Sequence, residues 1–148
     1  MEKITIIYGP ARSGKSRLAK NIAESKNTLC ISGRYYFKSR SKFRLQELTN
    51  ETELIVIDDI PQKFVLEAMA EFANRTIIYS KRGYPSLFEI QKPKMIFTLD
   101  VAEFKFPTGA SIDARFDFIR LESIDDYFKE YERILGQPHP ETIHTEPG

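Results

Sequence analysis

The sequence holds a single cysteine, Cys30, in 148 residues. No internal disulfide can form, and a metal site built on paired thiolates is excluded. A lone cysteine in the apolar run TLCIS reads as a buried structural thiol in a protein of a reducing compartment, the cytoplasm. Histidine is nearly as scarce. His139 and His144 both fall in a Pro-rich C-terminal stretch, where they read as spectators with at most weak incidental metal affinity. Neither sign of charge is in excess: the formal net charge is +1, so no global field draws the chain to nucleic acid or membrane, and any basic surface has to be local. Long apolar runs are missing too. The first, Ile4 to Tyr8, stops at Gly9, too short for a signal peptide or a bilayer span, so no membrane partner is expected. Internal repeats and linkers are absent, and the length suits one domain over residues 1–136 with a disordered, Pro-rich polar tail at 137–148.

The pattern that remains alternates strands and helices. Residues 3–8, TLCIS at 28–32, ELIVIDD at 53–59, KMIFTLD at 94–100 and FDFIRL at 116–121 read as strands. Leu18, Ala19, Ile22 and Ala23 share one helical face within KSRLAKNIAES, and Pro61 opens a second helix through about Asn74, with Phe64, Val65, Met69 and Phe72 as its buried side. A short helix is expected near 43–48. TIIYS, a KRGYP turn and LFEI form a hairpin, because Gly83 and Pro85 punctuate two short apolar runs. Ser123 caps a last helix, Asp126 stands three residues on, Ile124, Tyr127, Phe128, Tyr131 and Leu135 form its apolar face, and Gly136 ends it. The stretch through Gly109 has no regular pattern.

One motif in this framework carries chemistry outright. GPARSGKS, residues 9–16, matches G-x-x-x-x-G-K-S, with Gly9, Gly14, Lys15 and Ser16 in the diagnostic places and Pro10, Ala11, Arg12 and Ser13 between them. It follows a strand and opens a helix, which is the context that such a phosphate loop requires. Glycines let the loop wrap with its N–H groups inward, and the helix turns its positive end on the same anion. Lys15 is expected at the β- and γ-phosphates of ATP, and Ser16 at Mg²⁺. The strand LIVIDD supplies a Walker B pattern, with Asp58 beside the metal and Asp59 placed to polarise an attacking water. The same aspartates also suit the turn into the Pro61 helix.

After these motifs come a hairpin with a basic tip, SKRGYP, then KPKMIFTLD, then FPTGASIDARFDFIRL. This order resembles the superfamily 3 helicases of viruses and plasmids, within the AAA+ ATPases, over roughly residues 3–121. The resemblance implies a three-layer α/β P-loop NTPase fold: a mainly parallel sheet of about five strands, helices on both faces, and the nucleotide at the strands' carboxyl ends. It makes Lys81, Arg82 and Tyr84 the contact with single-stranded nucleic acid, Asp100 the sensor, where such helicases usually carry Asn, and Arg115 an arginine finger acting on a neighbour in a homo-oligomer. Two plainer readings stand beside these: Arg115 pairing with Asp113 or Asp117, and the hairpin tip as a solvated turn.

The stretch GRYYFKSRSKFR, residues 33–44, has five basic residues, four aromatics and no acid. Arg34, Lys38 and Arg40, with Lys42 and Arg44, suit phosphates, and the aromatics suit stacked bases, the combination used for single strands. A phosphate-clamping lid of a small-molecule kinase, or a solvated loop over core aromatics, uses the same residues. The whole points to Mg²⁺-dependent ATP hydrolysis in a protein acting on nucleic acid. Two other activities fit the loop: a small-molecule kinase, since ARSGKSR is similar to the loop of adenosylcobinamide kinases, and a weakly hydrolysing nucleotide switch.

Overall fold

The computed structural model describes residues 2–24 and 26–142. Five strands form a wholly parallel sheet: β1 (Ile4–Gly9), β2 (Thr28–Ser32), β3 (Leu54–Asp58), β6 (Lys94–Asp100) and β7 (Phe116–Arg120), in the order β2-β3-β6-β1-β7. A separate antiparallel hairpin pairs β4 (Thr76–Tyr79) with β5 (Phe88–Gln91), as its punctuated sequence predicts.

Period-two alternation divides the sheet's side chains between two cores. Ile4, Ile6, Ile55, Ile57, Met95, Phe97 and Leu99 point to one face, and Ile7, Leu54, Val56 and Ile96 to the other. The second face is covered by α1 (Lys15–Ala23) and α5 (Ile124–Leu135), through Leu18, Ala19, Ile22, Tyr127 and Tyr131. The first is covered by α2 (Gly33–Ser39), α3 (Val65–Glu71) and the hairpin, through Tyr36, Phe37, Val65, Met69, Phe72, Ile77 and Tyr79. Both faces of the sheet are therefore buried, which is why its central strands read as unbroken apolar runs. No described helix is long and apolar enough to cross a membrane.

Several local expectations are corrected. The helix in the basic stretch is α2 at 33–39, while 42–47 is a run of turns with Leu45 and Leu48 buried. Ser32 caps α2 by accepting from the Tyr35 N–H, and only Tyr36 and Phe37 of its side chains reach the core, too few to show a helical period. Pro61 lies just outside its helix: a 3₁₀ turn, Gln62–Phe64, intervenes, and α3 stops at Glu71. A further short helix, α4 (Ala110–Arg115), precedes β7. Cys30 is exposed, because β2 is an edge strand with little covering its open side. Ile124 is 41% exposed rather than part of the apolar face. The Ser123 side chain makes no cap, while Asp126 accepts from the Glu122 N–H at 2.8 Å.

The start of the C-terminal stretch packs on α5. His139 is 7% exposed and sits against the rings of Tyr127, Phe128 and Tyr131, and the Glu141 N–H donates to its Nδ1 at 3.0 Å. Arg17 lies 4.8 Å over the Tyr127 ring and pairs with Glu141, tying this stretch to α1. Three aromatic rings on α5 thus supply the apolar surface that a Pro-rich sequence lacks. His144 lies outside the described residues.

Phe97 is fully buried in the middle strand and packs edge-on against Phe72 at 6.0 Å between ring centres. Phe97→Ala should cost about 3–5 kcal/mol of stability, read as a lower denaturation midpoint at unchanged slope. A loss under about 1 kcal/mol would place Phe97 outside the close-packed core.

Candidate functional site

Parallel strands end together, and the register sets what meets at their carboxyl ends. Gly9 stands opposite Asp100, Ser32 opposite Asp58, and Ile57 opposite Phe97, which puts Asp58 beside Thr98. β6 separates the strand that leads into the Gly9–Ser16 loop from the strand that ends in the two aspartates. A cleft of about 250 Å³ opens at this edge, lined by Arg12, Lys15, Ser16, Asp58, Asp59, Thr98 and Asp100 among others. The spacing that suggested a single site from distant segments is realised in space.

The loop wraps as its glycines allow. Gly9 has φ of +155°, and a Cβ there would fall 1.9 Å from the Leu121 carbonyl oxygen, so no side chain fits. Gly14, left-handed at φ of +95°, caps α1, and Arg12 is left-handed as well. The Lys15 ammonium is buried inside the loop: it donates to the Pro10 carbonyl at 2.5 Å and lies 3.4 Å from Ser13 Oγ and 3.5 Å from Asp100 Oδ1. The negative charge of Asp100 is thus paired with the loop's own cation.

The acidic side is organised by a residue outside both motifs. Thr98, 1% exposed, donates to Asp58 Oδ1 at 2.5 Å and accepts from the Asp59 N–H at 2.8 Å. The same Asp58 oxygen accepts from Ser16 Oγ at 2.9 Å. The only sequence signal for Thr98 is a lone hydroxyl residue inside the apolar run MIFTL, which has to find polar partners when buried. Asp59 turns into the left-handed region at φ of +59°, a conformation that Asp tolerates better than most residues, and its Oδ2 accepts from Arg34 Nε at 3.0 Å.

Chemically, Ser16 Oγ and Asp58 Oδ1 are the pair able to hold a hard divalent cation. Among the described residues no three or more His, Cys, Asp or Glu cluster into an all-protein metal cage, and a Mg²⁺ bound by one or two side chains, water and phosphate needs none.

The other expected site residues divide by location. Arg34 joins the cleft through Asp59, and Lys38 lines an adjoining cavity. Arg40 ends α2 in the left-handed region, exposed. Lys81, Arg82 and Tyr84 sit at the hairpin tip, where Arg82 stacks 4.6 Å over Phe43, so the two basic segments of the sequence touch each other. Lys81 lies 5.2 Å over Phe88, and Tyr84, 61% exposed, is edge-on to the same ring. Arg115 is at the other end of the molecule. Phe116, its neighbour, pairs with Ile4 at the start of β1, so the length of that strand, about 16 Å, separates it from the loop. It pairs with neither Asp113 nor Asp117; it donates to Ser111 Oγ at 2.9 Å, and Lys3 takes Asp117 at 3.6 Å.

Thr98→Val keeps the shape of the side chain and leaves the Asp59 N–H and an Asp58 oxygen without their buried partner. It should cost about 1–3 kcal/mol in chemical denaturation, and a loss within experimental error would deny Thr98 its organising role. No protein-family model matches this chain, and a search of curated proteins finds no match.

Proposed function

We propose that the chain is a Mg²⁺-dependent ATPase with a three-layer P-loop NTPase fold, a motor core of the superfamily 3 helicase type acting on single-stranded nucleic acid. The observation that carries this reading is the meeting of Ser16 and Asp58 at 2.9 Å, beside a buried Lys15, at the carboxyl ends of parallel strands. Two sequence motifs 42 residues apart converge on one atom, which a chance Gly-Lys-Ser turn would not require.

The residues fit the ligands assigned to them. The nine-residue helix α1 turns its N-terminus into the loop, where the N–H groups and the Lys15 ammonium receive phosphate oxygens. Ser16 and Asp58 are oxygen donors of the kind that Mg²⁺ takes, with Thr98 fixing the carboxylate from behind. When bound, Mg²⁺ neutralises charge developing on the phosphates. Asp59 acts as the base: its carboxylate takes a proton from the attacking water as the oxygen forms its bond to the γ-phosphorus and the bond to ADP breaks. Asp100, paired with Lys15, keeps a negative sensor position compatible with a nearby γ-phosphate.

Arg115 lies at the opposite end of the strands from its own cleft, the placing that an arginine serving a neighbour's site needs, and a homo-oligomer follows from that role. The hairpin's basic tip, stacked on the aromatic turn at Phe43, supplies cations and rings for a single strand.

Phosphate release from ATP should require Mg²⁺, fall to background in Lys15→Ala, and rise on adding single-stranded DNA. Release that persists in Lys15→Ala removes the loop from the chemistry; bound nucleotide with no turnover under any addition leaves the switch reading. Inactive Arg115→Ala and inactive Asp59→Asn chains should recover activity when mixed, and silence from a confirmed mixed assembly argues against the finger.

A further inference from the structure

The cleft does not end at Asp59 and Asp100. Both carboxylates also line a second cavity, of about 290 Å³, on the side away from Ser16. Its floor is Ile60, Pro61 and Val101, and its basic wall is Arg34, Lys38 and Lys63. These residues come from segments of different origin: Arg34 and Lys38 from α2, and Lys63 from the 3₁₀ turn after Pro61. Their approach depends on Gly33, where a Cβ would fall 2.7 Å from the Ile60 backbone. A side chain there would push α2, and both of its basic residues, away from the Asp59 turn.

The charges do not cancel. Arg34 is taken by Asp59 at 3.0 Å and Asp100 by Lys15 at 3.5 Å, so the two acids are accounted for. Lys38 and Lys63 pair with no carboxylate among the described residues, and Lys63 leans over the Phe64 ring at 5.1 Å. Two unpaired ammonium groups beside a guanidinium around one concave surface form a site for an anion with several acceptor oxygens.

We propose that this second cavity binds the phosphate group of a second ligand, next to Asp59 and across it from the triphosphate. That this ligand is a second one rests on the nucleotide reading above; the cavity's affinity for phosphate does not. The shared chemistry has two sources, a small phosphorylated molecule or a phosphate of a nucleic-acid strand.

The test is an amide-resolved NMR titration of the full chain, first with Mg·ADP to fill the loop, then with inorganic phosphate, and in parallel with oligothymidylate carrying a 5′-phosphate or a 5′-hydroxyl. Saturable shifts at Arg34, Lys38 and Lys63, with those of residues 9–16 already set by ADP, support the site. In Lys63→Glu the phosphate affinity should fall about tenfold or more while ADP affinity is unchanged. Equal saturation by inorganic phosphate and both oligonucleotides' phosphate equivalents indicates a small-molecule source; tightening with strand length indicates nucleic acid, and either supports the cavity. Phosphate shifts confined to residues 9–16, no saturable shift, or identical titration of wild type and Lys63→Glu overturns it. Failure of ADP to bind is a separate result, since it removes the nucleotide reading and leaves the phosphate titration to be judged alone.

Discussion

One buried hydroxyl orders the acidic half of the cleft. Thr98 stands in the strand between the loop and the aspartates, where solvent cannot satisfy it, so both of its hydrogen-bonding capacities are spent on neighbours. Donating to Asp58 aims that carboxylate at Ser16; accepting from the Asp59 N–H holds the sharp turn that sends Asp59 towards Arg34. A residue outside both motifs thus sets the direction of both aspartates. This works only because β6 lies between β1 and β3, an order that puts its hydroxyl within reach of the neighbouring strand's end.

The parallel sheet gives the molecule two unlike ends. At the carboxyl ends lie the loop, both aspartates, Asp100 and the basic cavity beyond them. At the amino ends lie Arg115 and Lys92, close enough that, after burial, the charge of Arg115 helps to lower the Lys92 pKa. An assembly that stacked the Arg115 end of one copy on the cleft of the next would be head-to-tail, and a closing rotation would make it a ring. The side layer is tied together separately. Tyr36 donates to Glu71 at 2.7 Å while Arg44 sits over its ring, and burial, then the Glu71 charge, push the Tyr36 phenol's pKa up. These contacts lock α2 and the 42–47 turns to α3, and Arg82 of the hairpin tip stacks on Phe43 within those turns.

Much of this was legible in the residues. Apolar runs of five to seven residues ending in Gly9, Asp58 and Asp100 mark strands whose ends meet at one cleft, because parallel strands buried on both faces need no alternation. The spacing of Gly9, Gly14, Lys15 and Ser16 defines the loop by local steric and hydrogen-bonding demands alone. Local patterns were weaker where an element is short. α2 and α4 span seven and six residues and bury few side chains, so no period could show.

What only the tertiary structure decided is pairing between distant segments. Strand order made Thr98 the link between the aspartates and left Cys30 on an exposed edge. The close approach at Gly33 set Arg34 against Asp59 and Lys38 on the wall of the same cavity, and three rings of α5 folded His139 out of a stretch whose own composition favours disorder. Composition and spacing act along the chain, within a few residues, and so determine loops and strands. Which buried polar group meets which partner depends on register and layer packing, and those belong to the fold as a whole.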